Sequence, residues 1–181
     1  PRTPGQVVQE CGVGNVQVRI DDTSLSFATP ALKNNASLDD DEVAELCEAF
    51  VVDKQSLIDA SWGDNGPGWR LALLDSVETL RGLKRRTYSD LKVAFAALTG
   101  DSDPAYELRA FTPTFEDPVT GSANGAMAQW LRSRGDVPER YAVSQGTAMG
   151  RNGRVEIADD GNDIWVGGAV GVRVRGQIVV D

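Results

Sequence analysis

The sequence predicts an α+β fold, and three observations carry that expectation. Strand-like alternation opens the chain, helical spacing is confined to its middle, and a run of antiparallel strand signals closes it. Strands and helices are segregated here, unlike the strict βαβ alternation of a doubly wound sheet.

Taken in order, Val7, Val8 and Cys11 lead to a Gly-Val-Gly turn, and Asn15 to Ile20 then alternates with period two. Asp21-Asp22 marks a turn, and Leu25, Phe27 and Thr29-Pro30 belong to the next strand of a hairpin or meander. Cys11 lies between strands, where a small buried hydrophobe is preferred to a reactive thiol because no basic partner stands nearby. A helix starts within Ser37-Leu38-Asp39-Asp40-Asp41. Acids crowd its first turn, where the helix dipole favours them, and Val43, Leu46, Cys47 and Phe50 follow at helical spacing. Residues 56 to 62 read as a strand, Asp64-Asn65-Gly66-Pro67-Gly68-Trp69 as a turn, and Arg70 to Leu74 as a buried strand. Ser76 caps a helix through Leu80; Ser89 is expected to cap another through Leu98, closed by Gly100. Tyr106 to Phe111 alternates as a strand. Four more strands are expected at Tyr141–Gln145, Gly153–Ile157, Asp163–Val166 and Val170–Val180, with Asp159-Asp160-Gly161-Asn162 a hairpin turn.

Composition narrows the function. The 181 residues carry a formal net charge of -9, against the clustered cations that nucleic-acid binding requires. The one basic knot, Arg81 to Arg86, reads as a solvated helix end. No apolar run is long enough to span a bilayer, so no membrane partner is expected. Two cysteines and no CxxC fit a reducing cytoplasm. The opening PRTPG lacks methionine, which fits initiator removal or the downstream part of a longer product. Histidine is absent, which removes His-based triads and the usual His-rich metal sites.

The chemistry concentrates in EDPVTGSANGAMAQWL, Glu116 to Leu131. Pro118 biases Asp117 toward an extended conformation. Thr120, Gly121 and Ser122 stand where a strand hands over to a helix spanning Asn124 to Arg134, with Met127, Trp130 and Leu131 on or near one face. The first N–H groups of such a helix lack internal acceptors and attract an anion, and a glycine lets a ligand approach the backbone. Asp117 would serve as general acid or base, and Glu116, pointing elsewhere on an extended strand, is structural. On spacing alone, a plain capped helix competes with this reading and is the simpler of the two.

The motif residues add a resemblance. Phe111-Thr112-Pro113 with Glu116-Asp117-Pro118-Val119-Thr120-Gly121-Ser122-Ala123 resembles the signature of the phenazine-biosynthesis-protein-F-like (PhzF) family, in the diaminopimelate epimerase superfamily. Gln9-Glu10-Cys11 with Gly14 and Val16, Phe27-Ala28-Thr29-Pro30, and Asn65-Gly66-Pro67-Gly68-Trp69 are similar to its earlier strands and central turn. Ser144-Gln145-Gly146, Gly150-Arg151, Gly153-Arg154-Val155 and Val166-Gly167-Gly168 resemble its closing strands.

The resemblance implies a diaminopimelate epimerase-like lobe: a curved, mostly antiparallel sheet wrapped around a central helix, with residues 1–181 forming one C-terminal lobe. It implies an isomerase that uses no cofactor and no metal, and that shifts a proton and double bond on a small carboxylate-bearing substrate. Asp117 matches the acidic residue near substrate, and Thr120, Gly121 and Ser122 match the carboxylate-binding turn; Asn65 and Gly66 are further substrate-binding candidates. Thr120 stands where the cysteine-dependent epimerases carry a thiol, which counts against a two-cysteine racemisation. The family's first lobe, with its proton-shuttling glutamate and Cys-Gly-His-type motif, has no counterpart here. An N-terminal lobe from another chain, or from the missing part of a longer chain, is the expected partner, and a homodimer is compatible. An amino-acid epimerase or racemase, a hydroxy-amino-acid dehydratase, and a non-catalytic anion-binding module are the alternatives, and the isolated chain is expected to be inactive.

Overall fold

The computed structural model describes residues 5–86, 90–100, 102–177 and 179. The chain runs β1 (Gln6–Cys11), β2 (Gly14–Ile20), β3 (Ser24–Ala28), α1 (Asp40–Phe50), β4 (Leu57–Gly63), β5 (Trp69–Leu74), α2 (Val77–Gly82), β6 (Val93–Leu98), β7 (Tyr106–Phe111), β8 (Glu116–Asp117), α3 (Gly121–Arg134), β9 (Arg140–Gln145), β10 (Gly153–Asp159) and β11 (Ile164–Ala169). These strands join one mixed sheet in the order β1-β2-β3-β11-β10-β9-β7-β6-β5-β4, and β8 pairs with β7 off that path. Pairing is antiparallel except between β5 and β6 and between β7 and β9.

Alternation along the central strands builds two cores, one on each face. Leu71 and Leu73 of β5, Ala94 and Ala96 of β6, and Leu108 of β7 pack with α3. Their neighbours Ala72, Leu74, Val93, Phe95 and Ala97 face the other way, onto Leu46 and Phe50 of α1 and Leu80 of α2. The rings of Phe50, Phe95 and Phe111 cluster there at centroid distances of 4.8 to 6.1 Å. α3 itself is buried continuously from Ala123 to Ala128 and again at Trp130 and Leu131, the pattern of a helix walled in on several sides.

Helix starts follow the chemistry expected of them, with one exception. Asp39 caps α1 in a reciprocal capping box with Glu42, and Ser76 caps α2 through Thr79 N–H. Thr120, at the start of α3, makes no side-chain cap. α3 begins at Gly121, three residues ahead of the expected Asn124.

Four expectations are corrected. The expected helix through Leu98 is strand β6, paired with β5 and β7; Ser89, its expected cap, lies outside the described residues. VAFAAL is buried on both sheet faces, and such a short apolar run carries no periodicity to separate strand from helix. No strand forms over Val170 to Arg175: β11 ends at Ala169, Val170 N–H still reaches Thr23 O at 2.9 Å, and the residues that follow are exposed; Val180, the expected end of that strand, lies outside the described residues. Cys11 is exposed, not buried, because it ends an edge hairpin whose β1 strand is exposed throughout; its thiol meets Gly14 O at 3.2 Å. The basic knot also does more than meet solvent. Arg81 pairs with the buried Glu107 at 2.7 Å, and Arg85 donates to the carbonyls of Thr112 and Pro113. Among the described residues, no helix is long and apolar enough to cross a membrane.

Candidate active site

The Asp117–Ser122 segment is held from three directions. From below, Arg109 of β7 grips Glu116 through two hydrogen bonds of 2.8 Å, and the same buried guanidinium donates to the carbonyls of Leu80 and Leu83. Glu116 is therefore a structural anchor, as its place on an extended strand implied, and its neighbour Asp117 turns the other way. Asp117 is half-buried and pairs with Ala110 across the ladder; among the described residues its carboxylate accepts only a long contact from Val119 N–H, 3.4 Å.

From the side, β9 and β10 come within contact of the loop because they carry glycine there. A Cβ on Gly153 would sit 2.5 Å from Val119 Cγ2 and 2.6 Å from Gln145 O, and one on Gly146, at φ +88°, would sit 2.8 Å from Pro118 O. Gln145 projects into the same space, fully buried. Its Oε1 accepts from Thr120 N–H (3.0 Å) and Asn124 Nδ2 (2.7 Å). Its Nε2 donates to Asp117 O (2.8 Å) and Thr120 Oγ1 (3.1 Å). In the sequence Gln145 falls in an expected strand and stands out for no role. The available signal was period two: Val143 faces α3, so residue 145 does too, and an inward polar residue must be bonding something.

From behind, the turn between β4 and β5 supports the first turn of α3. Asn65 is buried and donates from Nδ2 to Ser122 O at 2.8 Å, and Trp69 Nε1 donates to Ser122 Oγ at 3.0 Å. The N–H groups of Gly66 and Gly68 are both taken by Asp64 Oδ1, at 2.8 and 2.9 Å.

The six candidate residues thus divide. Asn65 spends its Nδ2 and Gly66 its N–H on the scaffold, while the buried Asn65 Oδ1 has no hydrogen-bond partner among the described residues; Thr120 gives its N–H to Gln145 Oε1, and its Oγ1 accepts from Gln145 Nε2. Gly121 and Ser122 contribute N–H groups in an α-helical first turn, where no intrahelical acceptor exists, and Thr120 supplies no cap. Ser122 Oγ, accepting from Trp69, keeps its own proton to donate. The structure brings these groups and Asp117 into one short segment.

An open groove of about 510 Å³ meets this segment, lined by Phe27, Val119, Gly121, Gly153, Arg154 and Gly167 among others. The Arg154 guanidinium is occupied by Asp103, at 2.8 and 3.0 Å. A larger hollow of about 600 Å³, lined by Asp103, Arg140, Tyr141 and Glu156, does not reach the segment, whereas the smaller groove reaches it at Val119 and Gly121; Asp117 lines neither. The smaller groove meets the first turn of α3 at Gly121, whose N–H has no intrahelical acceptor. Among the described residues, no three His, Cys, Asp or Glu side chains gather as metal ligands would.

Comparison with known proteins bears on this geometry. The family model for PhzC-PhzF, phenazine biosynthesis-like protein, matches residues 2–180. The chain belongs to that family. It is 36% identical over 70 residues to the uncharacterized isomerase YfhB of Bacillus subtilis, a stretch covering 38% of this chain and 22% of that protein. It is 42% identical over 57 residues to the uncharacterized isomerase YddE of Escherichia coli, covering 27% of this chain and 19% of that protein. The aligned stretches therefore span about a fifth of these curated relatives. Among solved structures, the PhzF-family protein of Bacillus anthracis superposes with a TM-score of 0.71 at 18% identity, over 93% of this chain and 68% of that one. A predicted epimerase of Pseudomonas aeruginosa superposes at 0.75 and 18% identity, over 97% and 67%. A hydroxyproline epimerase of Agrobacterium vitis, with bound trans-4-hydroxy-L-proline, superposes at 0.53 and 17% identity, over 93% and 60%. The fold is that of PhzF and proline-racemase-like proteins, and this chain spans about two thirds of the length of the B. anthracis and P. aeruginosa structures.

Proposed function

We propose that this PhzF-family chain is the C-terminal lobe of an isomerase, with α3 as its central helix, and that it supplies one wall of an active site acting on a small carboxylate-bearing substrate. The observation that carries this reading is the uncapped start of α3 beside Asp117, opening on a groove. A substrate carboxylate seated on the N–H groups of Gly121 and Ser122 meets the positive end of the helix dipole. When a base removes the proton from the adjacent carbon, the electron pair moves into the carboxylate, and the N–H groups stabilise that added charge. A β,γ double bond of the substrate shares that electron pair, so the proton returns to the γ-carbon as the double bond moves to the α,β position, and nothing is consumed. The base is a glutamate of a first lobe, a separate chain or the rest of a longer one, and Asp117 orients the substrate or relays the proton. On this reading no step needs a cofactor, and low cysteine use fits a reducing cytoplasm.

The names of the B. subtilis and E. coli relatives and the fold shared with epimerases support an isomerase over a non-catalytic anion clamp. Thr120, in place of a thiol, disfavours the racemase variant, because an ordinary hydroxyl is too weak an acid to act as base. The test is substrate-dependent deuterium uptake from heavy water, with and without a polypeptide bearing the first lobe. Exchange should require both parts, and Asp117→Asn should lower it by roughly 10²-fold. Full exchange by the isolated chain would overturn the divided site, and an unaffected Asp117→Asn would reduce this lobe to a clamp.

A further inference from the structure

We propose that Gln145 is a positioning residue that keeps the first turn of α3 uncapped, by holding the Thr120 hydroxyl away from it. This rests on the reading of that turn as a carboxylate seat. Threonine at an N-cap position ordinarily accepts, through Oγ1, the N–H of the second or third helical residue, here Ser122 or Ala123. In this structure Thr120 occupies that position with extended backbone (φ -119°, ψ 104°) and makes no such bond. Its Oγ1 instead accepts from Gln145 Nε2 at 3.1 Å.

The orientation of the Gln145 amide is fixed by its partners. Asp117 O can only accept and Thr120 N–H can only donate, so Nε2 faces the first at 2.8 Å and Oε1 the second at 3.0 Å. Asn124 Nδ2, itself bonded to Thr120 O at 2.9 Å, fills the remaining lone pair of Oε1 at 2.7 Å. Two donors and two acceptors are thereby satisfied in a fully buried side chain. One amide consequently sets both halves of the site: the carbonyl that fixes Asp117, and the hydroxyl that would otherwise close the helix terminus. A self-capped α3 would be the more stable helix and the poorer anion receptor.

The test uses the whole chain and backbone amide signals of Gly121, Ser122 and Ala123, read by hydrogen exchange and by titration with sodium acetate at constant ionic strength. In Gln145→Met the Thr120 hydroxyl is released to cap. Exchange at Ser122 or Ala123 should then slow roughly fivefold, about what one cap is worth, and the acetate response should fall by a similar factor. Adding Thr120→Val removes the only hydroxyl able to cap, so the double variant should recover both wild-type exchange and acetate response. A side chain that merely supported the loop would give no such rescue. Thr120→Val alone should leave exchange at both amides unchanged; faster exchange there means that the hydroxyl already caps, and overturns the proposal even if Gln145→Met does not fold. Unchanged exchange in a folded Gln145→Met overturns it as well. A wild-type chain that ignores acetate defeats the carboxylate seat, while the exchange measurements still decide the role of Gln145.

Discussion

At the scale of single residues, charge burial separates anchors from ornament. Arg109 and Glu116 are both largely withdrawn from water and joined in a two-pronged pair, whereas Lys54 and Asp40 meet at 3.1 Å in nearly full exposure. Exposed pairs contribute at most a fraction of a kcal/mol, but removing one member of a buried pair strands the other charge. Glu116→Leu should therefore cost about 3 kcal/mol in urea unfolding, while Asp40→Asn leaves the midpoint almost unchanged. Asp159 offers a second test. Hydrogen bonds from Gly161 N–H and Arg132 hold its carboxyl below the usual range. A depressed folded pKa stabilises the fold above the unfolded value near 4 and loses that contribution as pH falls further. Asp159→Asn should flatten the acid limb of a plot of unfolding midpoint against pH below about pH 4, and match wild type in slope above it. Glu116 was legible in the sequence as structural, but its partner Arg109 and the Arg132 pairing of Asp159 were not, since burial depends on which distant strands close over a side chain.

Elements explain what could and could not be read in advance. The helices that begin with acids or serine were legible, because capping is decided within four residues: Asp39 bonds Glu42 N–H, and Ser76 bonds Thr79 N–H. Hairpins were legible for the same reason, Asp159 to Asn162 turning β10 into β11. β6 was not, because its identity comes from β5 and β7 on either side, residues remote in the chain. The site shows the same division. Its Thr-Gly-Ser step was conspicuous, but the closeness of β9 and β10 to it rests on glycines whose role appears only in three dimensions. Gly153→Ala would place a methyl group against Val119 and against the Gln145 carbonyl, and a backbone carbonyl cannot swing aside as a flexible side chain can. The expected cost is about 1–3 kcal/mol in denaturant unfolding. Chemical shifts should change from Pro118 to Ser122 and stay constant in α1.

Over the whole molecule, the two cores lie to one side of the sheet order. Buried members of the two clusters come from β4 to β7, β9 to β11, the three helices and the loop residues Leu38, Val52, Leu83, Leu91 and Val137, and none comes from β1 or β2. β1 pairs only with β2 and is exposed along its entire length, with Val8 at 62%. β2 and β3, with Phe27 packed against one core, carry the sheet toward β11. A hairpin that contributes no buried core residue adds little to the stability of what remains, because hydrophobic stabilisation scales with apolar area removed from water. Deleting residues 1–20 should leave the chain folded, with an unfolding midpoint within about 1 kcal/mol of wild type and a slightly smaller denaturant slope, since less surface is buried. Cooperative unfolding with Trp69 and Trp130 still shielded is the expected signature, while Trp165 loses the Arg19 guanidinium that lies 3.4 Å from its ring centroid and its emission should shift. Loss of cooperative folding would show that β1 and β2 hold β3 and the groove in place, and would make the hairpin part of the site's foundation.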